Sequence, residues 1–191
     1  MYRRSFLALG AGGLAVAVAG PALVRAVHAA RPPSETDLSD IRENWDSLLP
    51  EGDWPEPDTP LSVTEDEWRE RLPADSYRVL FRDGTEPAGS SPLDDEKRDG
   101  VFLCRACDLP LFTSAMKFDS GTGWPSFFTS IPGHLDTSRD FKLILPRTEY
   151  HCVRCGGHQG HVFEDGPAPT GERWCNNGVA LRFVAKDDGT A

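Results

Sequence analysis

Short apolar runs separated by turn residues dominate the second half of the chain, a pattern typical of β-strands half buried in a core. The clearest run is 179–184, in which every second residue from Val179 to Phe183 is large and apolar. Similar runs predict strands at 101–104, 141–145, 148–152 and 161–164. The hydrophobic pattern therefore predicts a mainly β domain.

One short helix is predicted ahead of these strands. Thr64 and Glu67 have the spacing of a capping box, in which the threonine caps the helix and the glutamate reaches back to it. The helix should end at Pro73, because proline cannot continue it. Beyond it, the run 77–81 (YRVLF) predicts a strand, residues 83–100 predict a loop, and no further helix is expected.

The domain organisation follows from changes in composition. Residues 30–61 contain six prolines and many acidic residues, which predict a mostly irregular arm or linker with one helical turn near Leu38–Leu49. Residues 62–185 are then expected to form one compact domain, and the polar tail 186–191 is expected to fray.

Residues 1–29 have the form of an export signal rather than of a part of the fold. The paired arginines Arg3 and Arg4 precede an uncharged stretch over 5–24, and small residues follow near Ala29. This is a signal of the twin-arginine type, so the mature protein is expected in the periplasm or outside the cell. The alternative is an uncleaved membrane anchor, because 20 uncharged residues can just span a bilayer.

The acidic charge restricts the partners. The net charge is −10 for the whole chain, and setting residues 1–29 aside leaves 17 basic and 30 acidic residues, a net charge of −13. An acidic protein binds poorly to nucleic acid and to anionic membranes, so neither is expected as a partner. We interpret the charge as a source of solubility rather than as a binding function.

Five cysteines divide into two CxxC pairs and one remaining thiol, Cys175. Four thiolates paired in this way complete a tetrahedral zinc site with no open position, and the 44 residues between the pairs imply a structural zinc that clips two distant hairpins together. The alternatives are two disulfides or an iron–sulfur cluster, but a CxxC disulfide is usually redox-active and nothing else indicates electron transfer. The predicted zinc ligands are Cys104, Cys107, Cys152 and Cys155.

The segment HQGHVFEDGP, which follows the second CxxC pair directly, carries side chains that can transfer protons. His158 and His161 can transfer protons beside Cys175. Arg173, two residues before Cys175, should project to the same face of a strand, where a cation favours the nucleophilic thiolate. The alternative is a catalytic zinc hydrolase that uses His158, His161 and Asp165 as ligands.

These motifs, in this order, resemble the B-type methionine sulfoxide reductases, which reduce the R epimer of peptide-bound methionine sulfoxide. The likeness covers about residues 62–184 and includes both CxxC pairs. The resemblance implies a mainly β fold of two small antiparallel sheets, with a zinc clip and a short N-terminal helix. The other shared segments are GTE at 84–86, KFDSGTGWPSF at 117–127, RTE at 147–149, HQGHVFEDGP at 158–167 and RWCNNGVALRF at 173–183.

The resemblance also implies a role for each matched residue. Cys175 would attack the sulfoxide sulfur and become a sulfenic acid, while His161 would protonate the departing oxygen with the support of His158 and Asp165. The residues that would surround these groups are Arg173 and Asn177 at the thiol, and Trp124 and Phe163 at the substrate methyl. A position in the core is the simpler interpretation of Trp124.

The chain departs from the family pattern at one position. Many members carry a resolving cysteine where this chain has Thr122, and no sixth cysteine replaces it. The sulfenic acid should therefore be reduced by an external thiol or by an exported thioredoxin-like partner. As a separate expectation, the protein is a monomer. A non-catalytic, zinc-stapled β module that binds a partner is the remaining alternative.

Overall fold

The computed structural model describes residues 33–140 and 146–189. These residues form two antiparallel sheets of short strands with three α-helices, which confirms the predicted mainly β class. The predicted signal at 1–29 and the predicted strand at 141–145 lie outside the described residues. Within the described ranges, no helix is long and apolar enough to cross a membrane.

The strands are β1 (Gly100–Cys104), β2 (Pro110–Thr113), β3 (Lys117–Phe118), β4 (Ser126–Phe127), β5 (Leu135–Asp140), β6 (Arg147–Cys152), β7 (His158–Phe163), β8 (Arg173–Asn176) and β9 (Leu181–Ala185). The smaller sheet has the strand order β2-β1-β9, and the larger has the order β3-β4-β8-β7-β6-β5. The predicted strands at 101–104, 148–152 and 161–164 are confirmed, and each begins one to three residues earlier than predicted. The strand predicted at 179–184 begins only at Leu181, after a 3₁₀ turn.

The helices are α1 (Glu35–Glu43), α2 (Glu65–Arg71) and α3 (Ala74–Arg82). The capping box predicted for α2 is confirmed. The Thr64 N–H donates to the Glu67 carboxylate at 2.7 Å, and the Glu67 N–H donates to the Thr64 hydroxyl at 3.3 Å. These bonds satisfy two of the amide groups that a helix start leaves without partners.

The prediction of a strand at 77–81 is wrong, because these residues belong to α3. The prediction that no helix follows Pro73 is wrong for the same reason. Tyr77 and Leu80 are buried while Arg78 is exposed, which is the period of a helix rather than the alternation of a strand. Proline at the start of α3 separates it from α2 without preventing a new helix from beginning.

The first helix packs on the β domain. Leu38 is buried, the Arg42 side chain donates to the Thr129 hydroxyl at 2.8 Å, and the Trp45 ring meets the edge of the His134 ring at 5.2 Å. The helical turn predicted near Leu38–Leu49 is therefore present, and it is longer than predicted.

Aromatic side chains join the two sheets. Phe112 of the smaller sheet stacks on Phe127 of the larger at 4.0 Å, and Phe102 meets the edge of Phe127 at 5.0 Å. All three are fully buried, and each contributes about 2 kcal/mol of hydrophobic stabilisation. Because Phe127 lies on β4, this core fixes the strand beside β8, which carries Cys175.

Candidate active site and metal centre

Two matching turns bring four cysteines together. Cys104 ends β1 and Cys107 lies in the turn after it, while Cys152 ends β6 and Cys155 lies in the turn after that strand. In each turn the residue after the second cysteine has a positive φ, and its N–H donates to the carbonyl of the first cysteine at 2.9 and 2.8 Å. The cluster thus connects a hairpin of the smaller sheet to a hairpin of the larger one.

The spacing of the four sulfurs fits zinc. The Cys104 and Cys155 sulfurs are 3.6 Å apart, and those of Cys107 and Cys152 are 3.5 Å apart, close to the ~3.8 Å of a tetrahedron with zinc–sulfur bonds of ~2.3 Å. The pKa of the Cys104 thiol is raised, first by its contact with Cys107 and also by burial. Thiolates this close together repel one another, so a divalent cation is what allows all four sulfurs to ionise together. The predicted structural zinc site is therefore confirmed by its ligand geometry.

The fifth cysteine lies elsewhere. Cys175 is on β8 and belongs to no cluster of metal-ligand type in the described part of the chain. The strand register places it between Ser126 of β4 and His161 of β7. A cavity of about 130 Å³ opens here, and five of the predicted site residues line it: Trp124, His161, Phe163, Cys175 and Asn177.

Gly160, between the two histidines of β7, allows this close pairing. A side chain at this position would place its Cβ 1.9 Å from the carbonyl oxygen of Cys175. Only glycine therefore lets β7 lie against β8 with His161 directly beside the thiol strand.

Arg173 is held rigidly on the thiol side of β8. Its Nε and Nη2 atoms donate to the two oxygens of Asp165 at 2.8 and 2.9 Å, and its guanidinium lies 4.3 Å from the centre of the Phe163 ring. Asp165 was predicted to support His161, but the structure pairs it with Arg173. Its carboxylate therefore orients the cation rather than the imidazole.

The charge environment of Cys175 is mixed. Burial raises the pKa of the Cys175 thiol, while the charge of Arg173 and hydrogen bonds from Arg173 and Thr122 lower it. Because burial is the largest effect, the thiol is protonated at rest at neutral pH. Arg173 is the neighbouring cation that favours the thiolate, as the sequence predicted.

The two histidines are paired with carboxylates. The His161 Nε2 lies 3.0 Å from Asp140, which also accepts a hydrogen bond from Arg147 at 2.7 Å, and the His158 Nδ1 lies 2.5 Å from Glu149. Burial lowers the pKa of His161 and lowers that of His158 to about 4, although the carboxylates oppose the effect. Both imidazoles are therefore neutral at pH 7, and His161 can accept a proton and pass it on.

Glu86 organises the cavity and was not predicted as a site residue. Its carbonyl accepts the Trp124 indole N–H at 3.1 Å, and its N–H donates to the Asn177 side chain at 3.0 Å. Its carboxylate accepts the N–H groups of Gly178 and Val179 at 2.5 and 3.0 Å. The only signal in the sequence was its place in the GTE segment, to which no role was attached.

Comparison with known proteins agrees with this arrangement. The family model described as the SelR domain matches residues 72–185 of the chain. The chain therefore belongs to the SelR domain family, which confirms the resemblance to the B-type methionine sulfoxide reductases.

Individual relatives are similar over the same region. The peptide methionine sulfoxide reductase MsrB of Methanosarcina barkeri is 46% identical over 130 residues, which cover 68% of this chain and 92% of that protein. The chloroplastic peptide methionine sulfoxide reductase B1 of Arabidopsis thaliana is 46% identical over 125 residues, which cover 65% of this chain and 62% of that protein. The protein of the same name from Oryza sativa subsp. japonica is 44% identical over 128 residues, which cover 66% of this chain and 60% of that protein. The chain thus spans about three-fifths of the length of the two plant proteins.

Proposed function

We propose that this protein reduces the R epimer of methionine sulfoxide in peptides and proteins. The observation that carries the proposal is the separation of the thiols: four cysteines form the metal cluster, and Cys175 alone lines a cavity with His161 and Trp124. A binding module has no need of a thiol held beside an oriented guanidinium and a half-buried imidazole. The relatives named as peptide methionine sulfoxide reductases support the same activity.

The cavity suits the end of a methionine sulfoxide side chain. Its volume of about 130 Å³ accommodates a methyl group, a sulfur and an oxygen, and Trp124 and Phe163 provide apolar walls for the methyl group. The hydrogen bond to Glu86 fixes the plane of the Trp124 ring. His161 and Arg147 line the same cavity and provide polar groups for the sulfoxide oxygen.

In the first half-reaction, the Cys175 sulfur attacks the sulfoxide sulfur. The thiol proton passes through the neutral His161 to the sulfoxide oxygen, and Arg173 stabilises the thiolate as it develops. The substrate sulfur–oxygen bond then breaks, and the released hydroxide adds to the Cys175 sulfur as the bond between the two sulfurs breaks. Methionine leaves, and Cys175 is left as a sulfenic acid. The substrate gains two electrons and Cys175 loses two, so no other reactant enters this step.

The second half-reaction requires thiols from outside the chain. The Thr122 side chain is near enough to Cys175 to lower the pKa of its thiol, and its hydroxyl lies 2.8 Å from the Ser120 hydroxyl, but a hydroxyl does not form a disulfide with a sulfenic acid. The other four cysteines are committed to the metal cluster. Two external thiol groups therefore return the sulfenic acid to the thiol, with formation of one disulfide and one water.

Peptide mapping tests this proposal. After one equivalent of an R-sulfoxide peptide without reductant, Cys175 should react with a sulfenic-acid reagent such as dimedone, and no intrachain disulfide should form. Thr122→Cys is the matched control, because its thiol would replace the hydroxyl that contacts Cys175 and should capture the sulfenic acid. A disulfide between Cys175 and a cluster cysteine in the metal-loaded wild type would contradict the proposal.

We further propose that the protein acts after export as a monomer. The support for export is the paired-arginine segment at 1–29. In an oxidising compartment, the reductant would be a thioredoxin-like protein or another thiol that is kept reduced there.

A further inference from the structure

A second group of metal-ligand side chains lies on the larger sheet and shares no residue with the four-cysteine cluster. Glu149 and His151 are two residues apart on β6, and Tyr150 between them points into the core with no exposed surface. Alternation along the strand therefore directs Glu149 and His151 to the opposite face. His158 of β7 is the register partner of His151, so it joins them on that face.

The distances suit one shared cation. One Glu149 oxygen lies 3.3 Å from the His151 Nε2 and 2.5 Å from the His158 Nδ1, and the three ligand atoms all lie within 4.8 Å of one another. Bonds of ~2.0–2.1 Å to a tetrahedral ion separate its ligand atoms by about 3.4 Å. The distance from Glu149 to His151 already matches this value, and the distance from Glu149 to His158 needs to lengthen by less than about 1 Å.

The state of His158 is an independent indication of a ligand. His158 is 4% exposed, and its buried Nδ1 atom has the Glu149 carboxylate at 2.5 Å as its close polar neighbour but makes no hydrogen bond of regular geometry with it. A buried polar nitrogen in this situation destabilises the fold. An ion coordinated by the imidazole and the carboxylate together would satisfy both groups.

We propose that Glu149, His151 and His158 bind one divalent transition-metal ion of the zinc type, separate from the zinc of the four cysteines. Two imidazoles and one carboxylate are ligands that zinc, copper and nickel prefer, whereas calcium and magnesium favour all-oxygen sites. Three protein ligands leave a fourth position for water.

Occupation of this site should inhibit the enzyme, an expectation that rests on the proposed function. His158 stacks edge-on against His161 with ring centres 5.4 Å apart. A doubly charged ion on His158 disfavours a proton on His161, because like charges repel at this distance. The proton transfer assigned to His161 would then slow.

The binding test titrates zinc-loaded, full-length protein with Zn²⁺ by equilibrium dialysis. The wild type should bind a second equivalent, and His151→Gln should bind that equivalent about tenfold more weakly or worse while keeping the first. Glu164→Gln, which changes an exposed carboxylate on the neighbouring loop, should behave as the wild type does. Cys175→Ser should also keep the second equivalent.

Three results would overturn the site: a wild type that binds one ion only, a second ion that His151→Gln retains at full affinity, or a second ion that Cys175→Ser loses.

In the activity test, added Zn²⁺ should inhibit the wild type, and His151→Gln should resist it while showing normal activity without added metal. Equal inhibition of both proteins would overturn the regulatory role. If the protein reduced no sulfoxide at all, the proposed function would fail, and the titration would still decide the metal site.

Discussion

Replacing Cys175 with serine should lower the rate of R-sulfoxide reduction by about 10⁴-fold or more, because the hydroxyl is a far weaker nucleophile than a thiolate and cannot form a sulfenic acid. The fold should be unchanged, since Cys175 is outside the metal cluster and lines a cavity. The measurement is the turnover of an R-sulfoxide peptide with dithiothreitol as the reductant.

Thr122→Ala is the matched control for this variant. It removes the hydroxyl that contacts Cys175, but it leaves the nucleophile in place and should keep activity within about tenfold of the wild type. If Cys175→Ser retained a substantial fraction of the wild-type rate, another group would be the nucleophile and the proposed chemistry would be wrong.

Loss of the zinc should unfold the domain. Structural zinc contributes about 10–16 kcal/mol in isolated zinc-finger peptides, whereas a whole domain is stable by only about 5–15 kcal/mol. The cluster joins hairpins of two different sheets, so its loss leaves three buried thiols and one half-buried thiol without their common partner and frees the sheets from each other. Treatment with a strong chelator should therefore abolish the cooperative thermal transition.

Cys107→Ala provides the same test by mutation, and Cys175→Ala is its matched control. Loss of about 4 kcal/mol would already lower the Tm of a domain of this size by roughly 15 °C. Cys107→Ala should show at least that decrease and bind less zinc, while Cys175→Ala should keep one zinc per chain and a Tm near that of the wild type. A Cys107→Ala protein with unchanged Tm would show that the metal does not hold the fold together.

Sequence patterns were reliable where the chemistry is local. The two CxxC pairs and the capping box at Thr64 each depend on residues within a few positions of one another, and the structure confirms both. The strand predicted at 77–81 was wrong because five apolar or long residues fit a strand and a helix equally well. The structure decides for a helix, in which Tyr77 and Leu80 are buried one helical turn apart.

The partners of the site residues could not be predicted, because they come from distant segments. Asp140 lies on β5 and reaches His161 across β6, and Glu86 lies in a loop that meets the end of β8. No periodicity or spacing connects such pairs. Asp165 shows the converse error. The family resemblance implied that it supports His161, but the structure pairs its carboxylate with Arg173.

The central claim is that Cys175 reduces one epimer of methionine sulfoxide in its own cavity, and the most direct measurement is a single-turnover assay with pure R and pure S peptides. Wild-type protein without reductant should convert about one equivalent of the R peptide to methionine for each Cys175 that becomes oxidised, and it should leave the S peptide intact. Equal conversion of both epimers, or conversion of the R peptide without oxidation of Cys175, would contradict the account.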